Sequence, residues 1–288
     1  MHCVKELVSN VVNLVSLPDI CIRVEQMSGD DNASAHDFGG LIAQDPNLSG
    51  RLLKIVNSSF YGFPVGITSI AHSVTIVGLN QLRSLVLATS AISTFERIPS
   101  SLVSMQQFWD HSITCGVYAR ELGRISRHPD LEQLFTAGLL SSVGKLVLYF
   151  KLPEGSRKVL EQSNGDVFLQ FSQERRIHGF SYGEVGCELM KLWKLPEVFS
   201  EVARFHLEPS KAERHALESC FFHAATVLVD GIQNDRSYED MCLRLDPVAK
   251  KLIPFSEETI EAVRDRSQEQ LAEILQLFSG SRRGTEVT

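Results

Sequence analysis

Helical periodicity dominates this sequence and limits what the chain can fold into. Apolar residues recur at intervals of three and four, whereas no β-type alternation bounded by hairpin turns persists anywhere. With 288 residues, 43% of them hydrophobic, the chain is long enough to bury a sizeable core. We therefore predict an all-α fold, either as one large domain or as two tightly packed lobes.

Local start and stop signals place the predicted helices along the chain. Ser34 and Asp37 form a capping-box pattern, and Asp45 before Pro46 is typical of a helix start. Pro99-Ser100-Ser101 separates two long periodic segments, so we predict lobes at 1–98 and 99–288. The periodic segments predict helices over 4–15, 19–29, 34–44, 46–57, 69–78, 79–95, 102–127, 130–150, 154–163, 166–176, 182–193, 196–207, 212–232 and 257–277.

Charge and cysteine content exclude several classes of function. The net charge of −7 and pI of about 5.7 give no electrostatic footprint for nucleic acid or for an anionic membrane. No helix-turn-helix pattern, signal peptide or membrane-spanning apolar run is recognisable. The six cysteines are scattered without a C-x-x-C pair, which favours reduced thiols in a cytoplasmic protein.

The octapeptide Gly138-Leu139-Leu140-Ser141-Ser142-Val143-Gly144-Lys145 carries the most specific motif. It resembles the centre of HD-superfamily metallophosphohydrolases, in which His-Asp stands at the place of the two serines and binds the catalytic metal. A serine hydroxyl is neutral and a poor ligand for a divalent cation. The resemblance therefore implies a metal site that has lost two of its ligands at Ser141 and Ser142.

The same resemblance points to further ligand positions on other helices. His111 matches the first His, Tyr182 stands where relatives often carry His, and His206 keeps only the second residue of a frequent His-His pair. The distal Asp falls near Thr226 in our alignment, and Asp230, about one helical turn later, stays an alternative. Two imidazoles without an assigned carboxylate do not make a catalytic metal site, so we expect no metal, no cofactor and no catalytic residue.

Each of these positions also has a structural interpretation. His111 lies on an apolar helix face, as a hydrogen-bonded core histidine would. His206 at a helix end fits an interaction with the helix dipole, and the small side chains of Ser141 and Ser142 would let helices pack closely. Asn57 either caps a helix or bridges the two lobes.

Short strings that match a known family follow one another over about residues 15 to 210. They are Leu41-Ile42-x-x-Asp45-Pro46-x-Leu48-x-x-Arg51-Leu52-Leu53, Asn57-Ser58-x-x-Tyr61-Gly62, Phe108-Trp109-x-His111-Ser112, Gly183-Glu184-Val185-Gly186 and Trp193-x-Leu195-Pro196. Together they resemble the HDOD family, the HD-related output domain of bacterial signalling proteins. The resemblance implies an N-terminal helical lobe packed on a degenerate HD-like helical lobe. The motif positions Asp45, Pro46, Asn57 and Ser58 have no assigned role.

The resemblance favours a non-enzymatic signal-transduction module that acts through protein–protein contacts, as the output part of a two-component response regulator would. Its partners would be other signalling proteins, such as a receiver domain or a cyclic-dinucleotide enzyme. The first alternative is a sensor that binds a nucleotide or another phosphorylated ligand in the vacated cleft of His111, Ser141, Ser142 and His206. The second is a residual metal-dependent phosphohydrolase that uses Asp230. The pattern makes no prediction of the oligomeric state.

Overall fold

The computed structural model describes residues 3–11, 16–28, 33–63, 66–95 and 102–279, and within these ranges the chain forms helices and turns without a β-strand. This confirms the all-α fold. The helices are α1 Val4–Ser9, α2 Asp19–Ser28, α3 Ala35–Ile42, α4 Pro46–Val56, α5 Ile70–Val77, α6 Leu79–Phe95, α7 Met105–Ile125, α8 Leu131–Ser141, α9 Val143–Lys151, α10 Pro153–Ser163, α11 Val167–His178, α12 Tyr182–Leu192, α13 Glu197–Phe205, α14 Ala216–Gln233, α15 Tyr238–Arg244, α16 Pro247–Leu252 and α17 Glu257–Ser279, with a 3-10 turn at Pro209–Lys211.

The capping signals in the sequence form the expected hydrogen bonds. Ser34 and Asp37 make a reciprocal capping box at the start of α3, and Asp45 accepts a 3.0 Å hydrogen bond from the backbone N–H of Leu48. Each cap satisfies backbone donors that the first helical turn leaves unpaired. These helix starts are therefore determined by a few neighbouring residues.

The helix predictions need correction at four places. The predicted helix over 4–15 ends at Ser9, and Asn10 and Val11 form a turn. The predicted helix over 130–150 is two helices, α8 and α9, because Ser142 interrupts the helical path between them. The periodic pattern also gives no indication of α15 and α16, which have seven and six residues and are too short for a clear period. Their caps, Ser237 and Asp246 before Pro247, are nevertheless readable in the sequence.

The chain divides into two compact units, and each is built from two separate segments. The large unit contains Met1–Ser16 and Phe95–Asp265, and the small unit contains Leu17–Thr94 and Arg266–Thr288. This differs from the predicted contiguous lobes at 1–98 and 99–288. The predicted boundary at Pro99-Ser100-Ser101 lies outside the described residues.

The first and last segments each belong to the unit opposite to the predicted one, because each buries apolar side chains there. In the large unit, α1 packs against α12 and buries Leu7 and Val8. In the small unit, the end of α17 buries Ile274 and Phe278, and the carboxylate of Glu273 accepts a 2.7 Å hydrogen bond from the backbone N–H of Ser59. Such contacts join residues far apart in sequence, so a pattern read along the chain does not predict them.

One apolar stretch, Leu131–Lys151, has the length and composition of a membrane-spanning helix. It is divided by the break at Ser142, and 89% of its most apolar window is buried within the protein. Core helices of globular proteins have the same composition. We therefore assign this stretch to the core of the large unit.

Helices α7 and α8 cross in direct backbone contact. A Cβ atom added at Gly138 would lie 2.6 Å from the Cα atom of Gly116 and 3.0 Å from the ring of Phe222. Any larger side chain at this crossing would force the two backbones apart. Gly138 therefore belongs to the packing of the helices rather than to a ligand site.

We expect Gly138→Ala to lower the free energy of unfolding by about 1–3 kcal/mol, because the added methyl group overpacks the α7–α8 crossing. Gly40→Ala is the matched control, since Gly40 is an exposed residue of α3 with no atom within 4 Å of the added Cβ. Alanine there should stabilise the helix by up to about 1 kcal/mol. Equal effects of the two substitutions on urea denaturation would contradict this account of the crossing.

Candidate functional site

The Ser141-Ser142 pair lies at the break between α8 and α9, deep in the large unit. Ser141 is fully buried, and its hydroxyl donates a 2.8 Å hydrogen bond to the carbonyl oxygen of Gly138 in the same helix. Ser142 is also buried and links the two helices. The Ser141 hydroxyl is thus satisfied by its own helix, and neither side chain brings a charge to this position.

Gly144, in the Val143-Gly144-Lys145 sequence that follows the two serines, lies where α9 and α12 approach each other closely. A Cβ atom at Gly144 would collide with the carbonyl oxygen of Tyr182 and lie 2.6 Å from the backbone nitrogen of Gly186. Only glycine permits α9 and α12 to approach this closely. The contact places Tyr182 directly beside the Ser141–Lys145 segment.

Tyr182 and His206 form a hydrogen bond that determines the state of the imidazole. The Nδ1 atom of His206 lies 2.9 Å from the carbonyl oxygen of Ala203 and 3.1 Å from that of Val202, so Nδ1 carries the hydrogen. The Nε2 atom then has a lone pair, which accepts a 2.7 Å hydrogen bond from the hydroxyl of Tyr182. In a metal site that lone pair would bind the metal.

The helix-dipole interpretation of His206 therefore needs refinement. Burial lowers the pKa of His206 to about 3, and the charge of Lys145 acts in the same direction. The imidazole is neutral near pH 7 and contacts the last carbonyl groups of α13 as a hydrogen-bond donor. It does not contribute the positive charge that a dipole interaction would use.

His111 lies on α7, where its Nε2 atom is 3.6 Å from the Sγ atom of Cys115. Burial and the nearby charge of Lys145 lower the pKa of His111 to about 4. Burial also raises the pKa of Cys115 to about 12, so the thiol stays protonated. The pair is neutral near pH 7, and the thiol does not act as a nucleophile.

Lys145 and Glu174 are two buried charged residues that the sequence analysis did not place in the site. The Nζ atom of Lys145 lies 4.5 Å from the ring centroid of Tyr182, and burial lowers the pKa of this lysine. Glu174 accepts hydrogen bonds from the backbone N–H of Tyr182 at 2.6 Å and from the amide of Gln170 at 2.9 Å. Burial raises the pKa of Glu174 to about 7, although the charge of Lys145 opposes the shift.

The sequence contained a signal for Lys145 but none for the burial of Glu174. Lys145 follows Gly144 inside an otherwise apolar segment, and a charge in such a segment requires a buried partner. Glu174 belongs to α11, which carries polar residues on most positions and gives no separate indication of burial. Only the packing of α9, α11 and α12 brings the partner into reach.

Asp230, the alternative carboxylate ligand, is engaged elsewhere. Its Oδ2 atom accepts a 2.9 Å hydrogen bond from Nε of Arg236 and lies 3.5 Å from Nη1 of Arg244. At Thr226, the aligned position, the hydroxyl donates to the carbonyl oxygen of Phe222. Within the described ranges, no group of three or more His, Cys, Asp or Glu residues is arranged to hold a metal ion.

The motif positions of the small unit shape one helix and the loop after it. Asp45 and Pro46 begin α4, and Ser58 donates a 2.6 Å hydrogen bond to the carbonyl oxygen of Ile55. Asn57 spans the loop: its Oδ1 accepts from the backbone N–H of Ile67 at 2.7 Å, and its Nδ2 donates to the carbonyl oxygens of Ile67 and Leu53, each at 2.8 Å. Asn57 therefore connects the end of α4 to the backbone of Ile67.

The aromatic residues of this loop divide between core and surface. Phe60 is fully buried, whereas Tyr61 and Phe63 are half-buried and stack with their ring centroids 5.9 Å apart. Core packing thus accounts for the first of the three rings.

Comparison with known proteins gives a family and a fold. The family model named HDOD domain matches residues 14–209. An uncharacterized protein of Treponema pallidum (strain Nichols) is 24% identical over 201 residues, which are 69% of this chain but only 39% of that protein. The chain thus spans well under half the length of this relative.

Two solved structures share the fold over nearly their whole length. An HDOD domain protein of Geobacter sulfurreducens is 20% identical, with a TM-score of 0.75, covering 95% of this chain and 97% of that one. A protein of Shewanella amazonensis SB2B, whose name proposes a phosphohydrolase, is 18% identical, with a TM-score of 0.75 and coverage of 94% and 97%. At sequence identities of 20% and 18%, the similarity to these two structures establishes the fold of this chain and nothing about its function.

We expect Tyr182→Phe to lower the free energy of unfolding by about 1–3 kcal/mol, because it leaves Nε2 of His206 buried without a donor. Tyr118→Phe is the control, since Tyr118 is also buried but its hydroxyl has no hydrogen bond to the described residues. Urea denaturation at pH 7 measures both. A Tyr182→Phe effect no larger than that of the control would contradict the assigned hydrogen bond.

The raised pKa of Glu174 predicts a pH-dependent contribution to stability. The folded protein binds the proton of Glu174 more tightly than the unfolded chain does. The resulting contribution to the free energy of unfolding is fully present below pH 4.5 and is lost as the pH rises through about 7. Wild type should therefore lose roughly 3 kcal/mol relative to Glu174→Gln between about pH 5 and pH 8. The exposed Glu161→Gln should show no such trend in the same titration of urea midpoints, and parallel curves for wild type and Glu174→Gln would refute the assignment.

We expect Asn57→Ala to destabilise the small unit by about 1–3 kcal/mol and to release the backbone of Ile67, because three hydrogen bonds are lost. Hydrogen exchange at the Ile67 amide measures the local effect, which should be much faster exchange. Asn80→Ala, at an exposed position of α6, should leave that amide protected. Unchanged protection in Asn57→Ala would show that the loop is held by other contacts.

Proposed function

This chain belongs to the HDOD family, and we propose that it is a non-enzymatic regulatory module that acts through protein–protein contacts. In this role it would be the output part of a signalling system such as a two-component response regulator. The observation that carries the proposal is the hydrogen bond from the Tyr182 hydroxyl to Nε2 of His206. It uses the lone pair with which an HD-type site would bind its metal.

The other vestigial positions support the same reading. The hydroxyl of Ser141 is bonded within its own helix, and Asp230 is paired with Arg236 and Arg244. A metal-dependent hydrolase needs converging, deprotonated ligands and a position for bound water. The described residues offer two neutral imidazoles, each with another contact, and no carboxylate free to join them.

The phosphohydrolase name of the Shewanella amazonensis protein does not transfer to this chain. The two proteins share 18% sequence identity, and their similarity concerns the fold. A shared fold is compatible with different functions, because function depends on the residues of the site.

We further propose that the partners are other signalling proteins, among them a receiver domain or a cyclic-dinucleotide enzyme, and that the module works in the cytoplasm. Six free cysteines, four of them buried, suit a reducing compartment. The Treponema pallidum relative is more than twice as long as the matched region, which is compatible with a module attached to other domains.

Metal content and hydrolysis test the non-enzymatic part of the proposal. Purified protein should contain no stoichiometric metal by elemental analysis, and it should not hydrolyse bis(p-nitrophenyl) phosphate or cyclic dinucleotides with added Mn²⁺. Stoichiometric metal together with turnover that Tyr182→Phe or His206→Ala alters would overturn it.

Two further measurements separate a contact module from a ligand sensor. Isothermal titration with cyclic nucleotides and cyclic dinucleotides should give no binding heat, whereas cross-linking in the native host followed by mass spectrometry should give reproducible links from the large or small unit to signalling proteins. Saturable binding of a nucleotide that Lys145→Met abolishes would replace the proposal with the sensor. An absence of any cross-linked signalling protein would count against it as well.

A further inference from the structure

An open cleft of about 530 Å³ lies on the large unit, outside the vestigial site. It is formed by the start of α11, the loop after α14, and α15. The residues that line it include a charged group, Asp166, Arg236 and Arg244, which we call the floor, and an apolar group, Phe168, Leu169 and Leu243, which we call the walls. A cleft of this size is in the range that accommodates ligands or the anchoring side chains of a partner.

The charged groups of the floor neutralise one another. Asp166 accepts hydrogen bonds from Arg244 at 2.6 and 3.2 Å and from Arg236 at 2.9 Å, and Asp230 pairs with both arginines from below. Two arginines therefore face two aspartates. Each guanidinium is already paired with carboxylates, so the cleft lacks the free positive charge that a phosphate would require.

The start of α11 is likewise occupied. The Oδ1 atom of Asp166 accepts from the backbone N–H groups of Phe168 and Leu169 at 2.9 and 3.0 Å. These are the donors with which a helix N-terminus would bind an anion. An anionic ligand thus finds neither free backbone donors nor unpaired arginines in this cleft.

The walls of the cleft are apolar and accessible. Leu243 is 78% exposed and Leu169 is 48% exposed, and the half-buried ring of Phe168 lies beneath the guanidinium of Arg244, with 5.3 Å between Cζ and the ring centroid. Three apolar side chains from two helices thus converge on one cleft. Single exposed leucines are common, whereas three apolar side chains that line one cleft offer a shared apolar contact area.

The rim supplies negative charge. Asp240 lines the cleft and Glu239 precedes it on α15, both exposed and neither in an ion pair with a described residue. Because the floor is neutral, these carboxylates set the sign of the local field.

We propose that this cleft is a docking surface for a partner segment that combines an apolar anchor with basic side chains. The apolar side chain would pack between Leu243, Leu169 and Phe168, while lysine or arginine residues beside it meet Asp240 and Glu239. Apolar area and charge complementarity at one place give both affinity and selection of the partner. The inference rests on the proposed function, since it names a surface through which the module contacts its partners.

A peptide-display selection tests the partner chemistry directly. A library of short random peptides is selected on the immobilised full chain, and the enriched peptides are synthesised and titrated by fluorescence anisotropy. We expect enriched sequences with one or two large apolar residues flanked by Lys or Arg. Leu243→Ser should weaken their binding by about tenfold or more, and Asp240→Lys should weaken it with a reduced dependence on salt.

Leu252→Ser is the matched control, because Leu252 is another exposed leucine of the large unit, on α16, and does not line the cleft. It should leave the affinity unchanged. Both leucines are exposed, so both variants should fold, and circular dichroism verifies this.

Several outcomes would overturn the inference: enriched peptides that bind Leu243→Ser as well as wild type, enriched peptides that are acidic or lack basic residues, or no enrichment at all. These failures differ from failure of the proposed function, which would appear as bound metal and phosphodiester turnover in the same preparation. A metal-free, inactive protein that selects no peptide at this cleft would therefore refute the docking surface alone.

Discussion

Helices α9 and α12 meet at Gly144, whose Cα leaves room for the carbonyl oxygen of Tyr182 and for the backbone of Gly186. This contact determines the surroundings of every vestigial residue nearby. Next to this contact, Lys145 lies over the ring of Tyr182, and the backbone N–H of Tyr182 donates to Glu174. The hydroxyl of the same tyrosine donates to His206. A larger residue at position 144 would displace α12 and with it all three interactions. The glycine of the motif thus keeps a packing role that does not depend on metal chemistry.

The interior next to this contact is polar but largely satisfied. His206, Tyr182, Glu174 and Gln170 are linked by hydrogen bonds, and Lys145 lies beside the carboxylate and the two imidazoles. Burial makes charge expensive there, so the imidazoles are neutral and the carboxyl group of Glu174 takes up its proton more readily. Such a network holds one arrangement of side chains, because breaking any single bond leaves a buried polar atom unpaired.

The sequence was sufficient to predict the parts of the structure that depend on residues close together in the chain. The caps at Ser34 and Asp45 and the helices that follow them could be predicted, because each involves residues three or four positions apart. The division of the predicted helix at Ser142 could not, since neither glycine nor proline stands at the break. The same applies to the site: the neutral residues at Ser141 and Ser142 could be identified from residue types, whereas the electrostatic interaction of Lys145 with Glu174 depends on the packing of separate helices. The two short helices α15 and α16 were not predicted from the sequence. Helix α15 carries Leu243, one of the apolar residues that line the cleft.

The division of both units into two chain segments has a consequence for biosynthesis. The small unit takes one segment from residues 17–94 and another from residue 266 onward, so on the ribosome it lacks the helix that buries Ile274 and Phe278 until the intervening residues 95–265 have been made. Domains ordinarily fold in the order of their synthesis. Here the segment 17–94 must wait for a second segment that emerges only after residues 95–265. During translation its apolar surface remains uncovered for longer than that of a contiguous domain, and this nascent stage is where the chain would have the greatest need of a chaperone.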